Sequence, residues 1–510
     1  MIFSFKFSPY LFIIKMPRGI YSNLRCKSSE KTFTPLQHQE KVRDYFLTSK
    51  YKGLLLFHEL GSGKTCTAII TADAMLKQGL VESVIVFTPG SLRATWLSEY
   101  CDKCGKSDKY LKQKYTFITY NYNVSPSLPS LNNTLVIIDE VHNLINAVKN
   151  NSRNAKDIFS AIENADCRVL ALSGTPVLNY VNEYELLGKL LNPKNPEKLK
   201  GVISYYPGAG SEFIPKVVLK DPIKVQMSPE QDTAYWQRYA SEIKLTTIPI
   251  DAKLKQTNPK KYEELSQLQV MARKNILSRS ASNFYYPEGA KPLPDTLEEK
   301  GGWINDEMLS DGALMIYSPK FVALLLNIIQ HIDQKHVIHT FFKDKAGAVL
   351  LKTLLKRCGF TVSVFSGDMN SSERTSMLRK FNSKKNKHGE LVKILIITEA
   401  GAEGISLKEA RHIHILESAP RIAKTIQAIG RVARYMSHTR LPPEEREINV
   451  WRYWSVSDPK PIKVTIKGVK GEKTTTITNK KTIDELLYER GQEKVKELSV
   501  FLEKLKQSSI

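Results

Sequence analysis

The chain is short of acid. Its 510 residues carry 75 Lys+Arg against 52 Asp+Glu, a formal charge of +23. Such an excess points away from basic partners and toward polyanions, nucleic acid before membrane. A soluble basic surface is the plainer reading of the same numbers. Cysteine is also scarce, with six residues at 26, 66, 101, 104, 167 and 358. That scatter suggests no disulfide framework and fits a reducing compartment. Cys101-Asp-Lys-Cys104 has the spacing of half a zinc knuckle, but no second pair or nearby histidine completes four ligands, so these two cysteines are expected to be structural. No apolar run reaches the length of a membrane span, so no membrane partner is expected. Residues 1–29 contain no acid, and set Tyr10-Leu11-Phe12-Ile13-Ile14 among Lys6, Lys15, Arg18, Arg25 and Lys27. They read as a targeting leader or as an upstream extension before Met16, and a dispensable tail is expected. No internal repeat is visible.

At 42% hydrophobic, the chain can build two or three cores. Gly53-Leu54-Leu55-Leu56-Phe57 reads as a buried strand, followed by Gly61-Ser62-Gly63-Lys64-Thr65 and a helix beginning near Lys64. Backbone N–H groups in such a turn converge on one point, and the helix adds its positive end. Gly61 and Gly63 allow close approach of the backbone. Lys64 can neutralise the β- and γ-phosphates of ATP, and the Thr65 hydroxyl can ligate Mg²⁺. The strict phosphate-loop pattern has glycine five places before Gly63, where His58 stands. An ordinary glycine-rich turn uses the same residue types.

A second motif weighs against that plainer reading. Leu135-Val-Ile-Ile-Asp139-Glu140-Val-His142 is an apolar, β-branched strand ending in two acids. Asp139 can hold the Mg²⁺ water shell, and Glu140 can orient and deprotonate an attacking water. A solvated Asp-Glu loop is common by itself. The two motifs in this order, each after a buried strand, predict a nucleotide site.

Strands at 53–57, 84–88, 116–119, 134–138 and 168–172 alternate with helical patterns such as 64–77 and 91–101. This predicts a parallel sheet covered on both faces, with ligands at the strand C-termini. Residues 201–310 break the alternation and read as a mainly helical insertion. Tyr235, Trp236, Tyr239, Arg273 and Lys274 within it could touch nucleic acid, although such aromatics are more often core. A second alternating unit follows, with strands at 336–341, 361–365, 393–397 and 412–416, and helices at 319–331, 344–357, 371–382 and 420–434. Residues 482–506 form an amphipathic pattern. The expected organisation is a basic extension (1–30), a first lobe (31–200), the insertion (201–310), a second lobe (311–470) and a helical tail (471–510).

The second unit has no phosphate loop of its own. It does carry Gln427, Arg431 and Arg434 at i, i+4 and i+7, one face of a helix. Two guanidiniums reaching from it to the γ-phosphate would stabilise the charge of phosphoryl transfer, and would make closure depend on that phosphate. A basic surface helix is the alternative.

With these motifs in place the chain resembles the superfamily 2 helicases and translocases, from Leu36 to about Arg452. Leu36-Gln-His-Gln39 looks like the upstream glutamine motif, implying that Gln39 reads adenine. Val86-Phe-Thr88-Pro89 with Trp96, Asp139-Glu-Val-His142, Ser173-Gly-Thr175-Pro176, Ser366-Gly-Asp368 and Thr398-Glu-Ala-Gly-Ala-Glu-Gly404-Ile-Ser406 resemble further motifs in the family's order. The resemblance implies two RecA-like parallel-sheet lobes. It makes Thr88, Ser173, Thr175, Thr398 and Gly404 candidates for strand contact or coupling. Arg431-Val-Ala-Arg-Tyr-Met-Ser-His438, Leu441-Pro-Pro443 and Thr482-Ile-Asp-Glu-Leu-Leu-Tyr488 look closest to the transcription ATPases of large DNA viruses, of the poxvirus nucleoside triphosphatase I and early-transcription-factor small-subunit type. Such relatives imply a DNA-dependent ATPase using ATP and Mg²⁺, working with a viral RNA polymerase and transcription factors, in the virion and host cytoplasm. DNA is favoured over RNA. Two departures stand out: His58 at the start of the phosphate loop, and Ser406 where many unwinding helicases have aspartate. A strand-separating helicase and an ATP-gated clamp without motor activity remain the alternatives.

Overall fold

The structure is a computed structural model. It describes residues 33–510 except 60, 91–92, 105–107, 121–127, 175–182, 209–212, 248, 252, 287–310, 344–345, 400–404, 421, 469–470 and 479–480. The basic N-terminal extension therefore lies outside the described residues.

The first lobe holds six strands: β1 (Gly53–His58), β2 (Ser83–Thr88), β3 (Tyr115–Thr119), β4 (Thr134–Asp139), β5 (Arg168–Ser173) and β6 (Ile203–Tyr206). They pair in parallel in the order β3-β2-β4-β5-β1-β6. β1 and β4 are buried along their whole length, as expected for a parallel sheet covered by helices on both faces. One face packs Leu55, Phe57, Val136 and Ile138 against helices Val141–Lys149 and Arg153–Asn164. The other packs Leu54, Leu56, Val86 and Ile137 against the phosphate-loop helix Lys64–Lys77.

The second lobe repeats the plan with β7 (Lys216–Leu219), β8 (Ile223–Gln226), β9 (Lys335–Thr340), β10 (Val362–Phe365), β11 (Ile394–Thr398), β12 (Ala410–Ile415) and β13 (Glu447–Val456). The order is β10-β11-β9-β12-β13-β7, with β8 also on β13. The molecule is thus α/β, with two parallel-sheet lobes. Its boundaries differ from those read in the sequence. β6 joins the first sheet by pairing with β1, and β7 and β8 join the second by pairing with β13. Of the 201–310 region, the described remainder is helical: Pro229–Thr247, Leu254–Thr257, Pro259–Arg273 and Ile276–Asn283.

A two-stranded antiparallel ribbon, β14 (Ile462–Gly468) with β15 (Gly471–Ile477), follows the second sheet. A ribbon of this kind is marginal alone. Here Val464, Ile462 and Ile477 anchor it on Tyr235 and Trp236. Those two aromatics are buried, so they serve the core. The last helix is Ile483–Gln507, its N-terminus closed by a Thr482/Glu485 capping box.

Two cysteines that lie far apart in the sequence meet in the fold. Cys66 and Cys104 are bonded, with Cα atoms 5.6 Å apart and a separation of 38 positions in sequence. Fold geometry creates this pair: Cys66 lies on the phosphate-loop helix, and Cys104 ends the π-helical turn Tyr100–Cys104 beside it. No spacing rule detects that.

Candidate functional site

β1 delivers its C-terminal end to a turn whose two glycines both sit at φ 80°. A Cβ at Gly61 would lie 2.8 Å from Cβ of Tyr435, and one at Gly63 would lie 2.7 Å from Nε2 of Gln39. Left-handed backbone and close approach together require glycine here. His58 leaves the loop undisturbed because it points into the sheet edge. Its Nε2 meets Ser204 Oγ at 3.0 Å, and burial, with Lys64 and His38 nearby, pushes its pKa down to about 3, keeping it neutral.

Lys64 donates to the carbonyls of His58 (2.7 Å) and Glu59 (3.1 Å). Burial lowers its pKa; the charges of Glu140 and Asp139 oppose that shift, and Arg434 reinforces it. Asp139, at the end of β4, accepts from Trp96 Nε1 at 2.7 Å and from Thr88 Oγ1 at 3.1 Å. Burial first, then the neighbouring Glu140, push its pKa up to about 7 against those two hydrogen bonds and Lys64. Tyr120 OH donates to the Asp139 carbonyl. Glu140 has φ 50° and ψ 56°. A non-glycine residue in this region costs on the order of 1 kcal/mol or more, and such strain clusters at functional sites.

The second lobe closes over this pocket. Helix Ile422–Val432 carries Gln427 and Arg431. Gln427 Nε2 lies 3.3 Å from His142 Nε2 across the cleft. If the amide donates there, the proton of His142 sits on Nδ1, which faces Ser173 Oγ at 3.0 Å and Glu140 Oε2 at 3.4 Å. Arg434 does not share the helical face expected from its spacing. The helix ends at Val432, and Arg434 reaches the pocket from the following turn, which Arg434 N closes on Val432 O. It is buried, and burial lowers its pKa to about 10, with Arg431 acting the same way and Glu140 and Glu99 opposing. It remains a cation at neutral pH.

Lys64, Asp139, Glu140, Arg431 and Arg434 thus come together from two lobes. The pocket concentrates positive charge that water does not solvate, and a polyphosphate would relieve that. Two buried polar atoms, Ser62 Oγ and Arg434 Nε, have no hydrogen-bond partner among the described residues. Groups of this kind ordinarily find one. The pocket therefore fits a nucleoside triphosphate.

Several other expected residues bond the protein groups around this pocket. Gln39 is buried and spends its amide on the protein, accepting from Leu36 N at 2.9 Å and donating to Gly63 O at 3.2 Å. Thr88 and Ser173 are buried on Asp139 and His142, and Thr398 is buried at the end of β11. Thr175 and Gly404 lie outside the described residues. The residues reading by sequence undervalued are Trp96, Tyr120 and His142, which orient the two acids. Trp96 and His142 stood inside motifs, while Tyr120 carried no signal. Beside the loop, Leu36, His38, Tyr45, Tyr206 and Tyr435 line a cavity of about 690 Å³.

Comparison with known proteins gives a consistent picture. Residues 32–178 match the family described as type III restriction enzyme, res subunit, and residues 320–436 match the helicase conserved C-terminal domain. A protein of Acanthamoeba polyphaga mimivirus named for an ATP-dependent RNA helicase is 25% identical over 86% of this chain and 86% of its own. A termination factor NPH-I homologue of African swine fever virus is 26% identical over 90% of this chain and 76% of its own. Among solved structures, the Pyrococcus furiosus Hef helicase domain aligns with 82% of this chain and 95% of its own at 15% identity, TM-score 0.44.

Proposed function

The chain belongs to the superfamily 2 helicases and translocases, and from that footing we propose a DNA-dependent ATPase that moves along duplex DNA during viral transcription. One observation carries the reading: the acid pair and lysine of the first lobe share a buried pocket with arginines of the second.

Lys64 and the Gly61–Thr65 turn hold the triphosphate, with the free hydroxyl of Ser62 available to it. Thr65 and Asp139 would hold Mg²⁺, which when bound neutralises charge on the phosphates. Glu140 accepts the proton of the attacking water. Arg431 and Arg434 stabilise the charge that develops on the transferred group. His142 links Glu140 and Ser173 to Gln427, so a change at the γ-phosphate is felt in both lobes. Thr88 couples strand contact to the metal site through Asp139, and Thr175, Thr398 and Gly404 are the remaining candidates for touching the nucleic-acid backbone. The swine fever virus relative, named as a termination factor, supports a role in viral transcription, and the proposal extends it to work beside a viral RNA polymerase, in the virion and host cytoplasm.

The test is ATPase activity measured in parallel with duplex DNA, single-stranded DNA and RNA, together with triplex and duplex displacement. Duplex-stimulated hydrolysis with triplex displacement and no unwinding is expected. Unwinding of RNA or DNA duplexes would favour the strand-separating alternative. A rate indifferent to every nucleic acid would remove the motor and leave an ATP-gated clamp.

A further inference from the structure

The Ile483–Gln507 helix belongs to both lobes. Its first turn is fixed in the second lobe. Asp484 pairs with Lys320 at 2.8 Å, both fully buried, and also accepts from Ser455 N at 3.1 Å. Ile483 N donates to Tyr235 OH at 2.7 Å. Two turns on, the helix crosses the arginine helix Ile422–Val432. A Cβ at Gly491 would meet Ile422 Cδ1 at 3.2 Å, so the Ile422 side chain packs directly on the helix at that glycine. Its far end leaves the second lobe altogether. Leu505 is 1% exposed and sits in the first-lobe core with Ile203, Val202 and Leu199. Lys506 Nζ lies over the Tyr205 ring at 5.3 Å, and Ile510 N donates to Ile203 O at 3.0 Å. Both contacts fall on β6, the edge strand beside β1, which leads into the phosphate loop.

We propose that this helix is a strut that positions the arginine helix over the phosphate loop, with Gly491 and Leu505 as its two positioning contacts. An unbroken helix rises about 1.5 Å per residue, so roughly 20 Å of rigid rod joins those contacts. A rod anchored in one lobe's core and seated against the other lobe's arginine helix limits where Arg431 and Arg434 can stand relative to Lys64. It does so without touching the nucleotide. Misplacing reacting groups by about 1 Å can cost on the order of 10²-fold in rate. The strut should therefore govern turnover and leave binding of the triphosphate to the loop.

The inference rests on the cross-lobe ATPase reading, and basal hydrolysis without nucleic acid separates the two. Lys496 is exposed between the anchors. Lys496→Pro breaks the rod while leaving both anchors in place, and Lys496→Ala keeps it helical. With the full chain, Lys496→Pro is expected to lower basal kcat about 10- to 100-fold. Its KM for ATP should stay within about twofold of the parent, because the phosphate loop is intact. Lys496→Ala should match the parent in both. Leu505→Asp, which releases the far anchor, should reproduce the kcat loss, with circular dichroism confirming a folded chain. Parental kcat in Lys496→Pro, or a rise in KM with kcat unchanged, overturns the strut. A parent whose hydrolysis ignores DNA, combined with the predicted kcat loss, overturns the motor reading and keeps the strut.

Discussion

Glu140 joins three properties that one residue seldom combines: a left-handed backbone, a place beside a desolvated aspartate, and a histidine 3.4 Å away that also reaches the other lobe. The strand's end dictates the first, because β4 stops at Asp139 and the helix must begin at Val141. The side chain is thereby turned into the cleft instead of along the strand. Replacing Glu140 with Gln keeps the size and the backbone but removes the base. ATP binding should persist at close to parental affinity, while kcat falls by about 10²- to 10⁴-fold, the usual contribution of general-base catalysis. Equilibrium binding of a fluorescent ATP analogue and steady-state hydrolysis read the two separately. A variant that turns over at the parental rate would assign the proton transfer to another group. Arg434 invites the matching experiment across the cleft. Its alanine variant should lose on the order of 10³ or more in kcat, with the same binding assay showing whether the phosphate loop still fills.

At the scale of elements, local pattern and tertiary assembly can be told apart. β1, β4 and β5 were legible because a strand buried on both faces reads as an unbroken apolar run. The phosphate loop and the paired acids were legible because their chemistry needs fixed residue types at fixed offsets. β6, β7 and β8 were not. They are short edge pieces of four residues each, and β7 and β8 are mostly exposed, so only their partners make them strands. The spacing of Arg434 predicts a helical face because periodicity does not reveal where a helix stops. Cys66 and Cys104 pair through packing that no spacing encodes. The second sheet hides another such assembly. His336 on β9 and His412 and His414 on β12 stack with His331, with Tyr453 and Trp451 on β13 beyond them. His336 Nδ1 and His414 Nε2 are 3.0 Å apart, and His414 Nδ1 meets Tyr453 OH at 2.9 Å. Burial, and then the neighbouring cations and histidines, lower His336 to about 4 and His412 to about 2, and hold His414 well below the ordinary histidine range. His339, nearby on β9, is also held at about 4, by burial and by Lys424 and Arg279. The unfolded chain binds protons on these groups near pH 6.5, and the folded chain resists until much lower pH. Stability is therefore fully present above about pH 6.5 and is lost as pH falls toward 4. A single histidine shifted from 6.5 to about 4 contributes on the order of 3 kcal/mol, and several together would exceed the margin of a typical domain. Thermal unfolding followed across this range should show a midpoint falling steadily below pH 6.5. His336→Gln should flatten the slope, and a flat parental profile would mean that the cluster is hydrated.

For the whole molecule, the charges divide into two populations that salt must treat differently. The cations of the ATP pocket are desolvated, and mobile ions screen buried groups weakly. The excess that gives +23 lies elsewhere, and many of the lysines, among them Lys460 just before the ribbon and Lys463 on it, are exposed. If those charges hold a nucleic-acid backbone, binding draws its strength from released counterions. Raising salt should then separate two activities of one enzyme. Basal hydrolysis should change little between 50 and 200 mM, as rough working limits. The DNA concentration giving half-maximal stimulation should climb steeply, by about 10³ for as few as six phosphate contacts. The maximal stimulated rate, once DNA is saturating, should be restored at any salt, because the cleft itself is unaltered. Lysine-to-glutamine changes on the DNA-binding face should reduce the slope of that log–log plot by about one per contact, which makes the plot a map of the surface. If basal and stimulated rates fell together with salt, the ions would be acting on the pocket or the lobe interface, and the basic surface would have another partner.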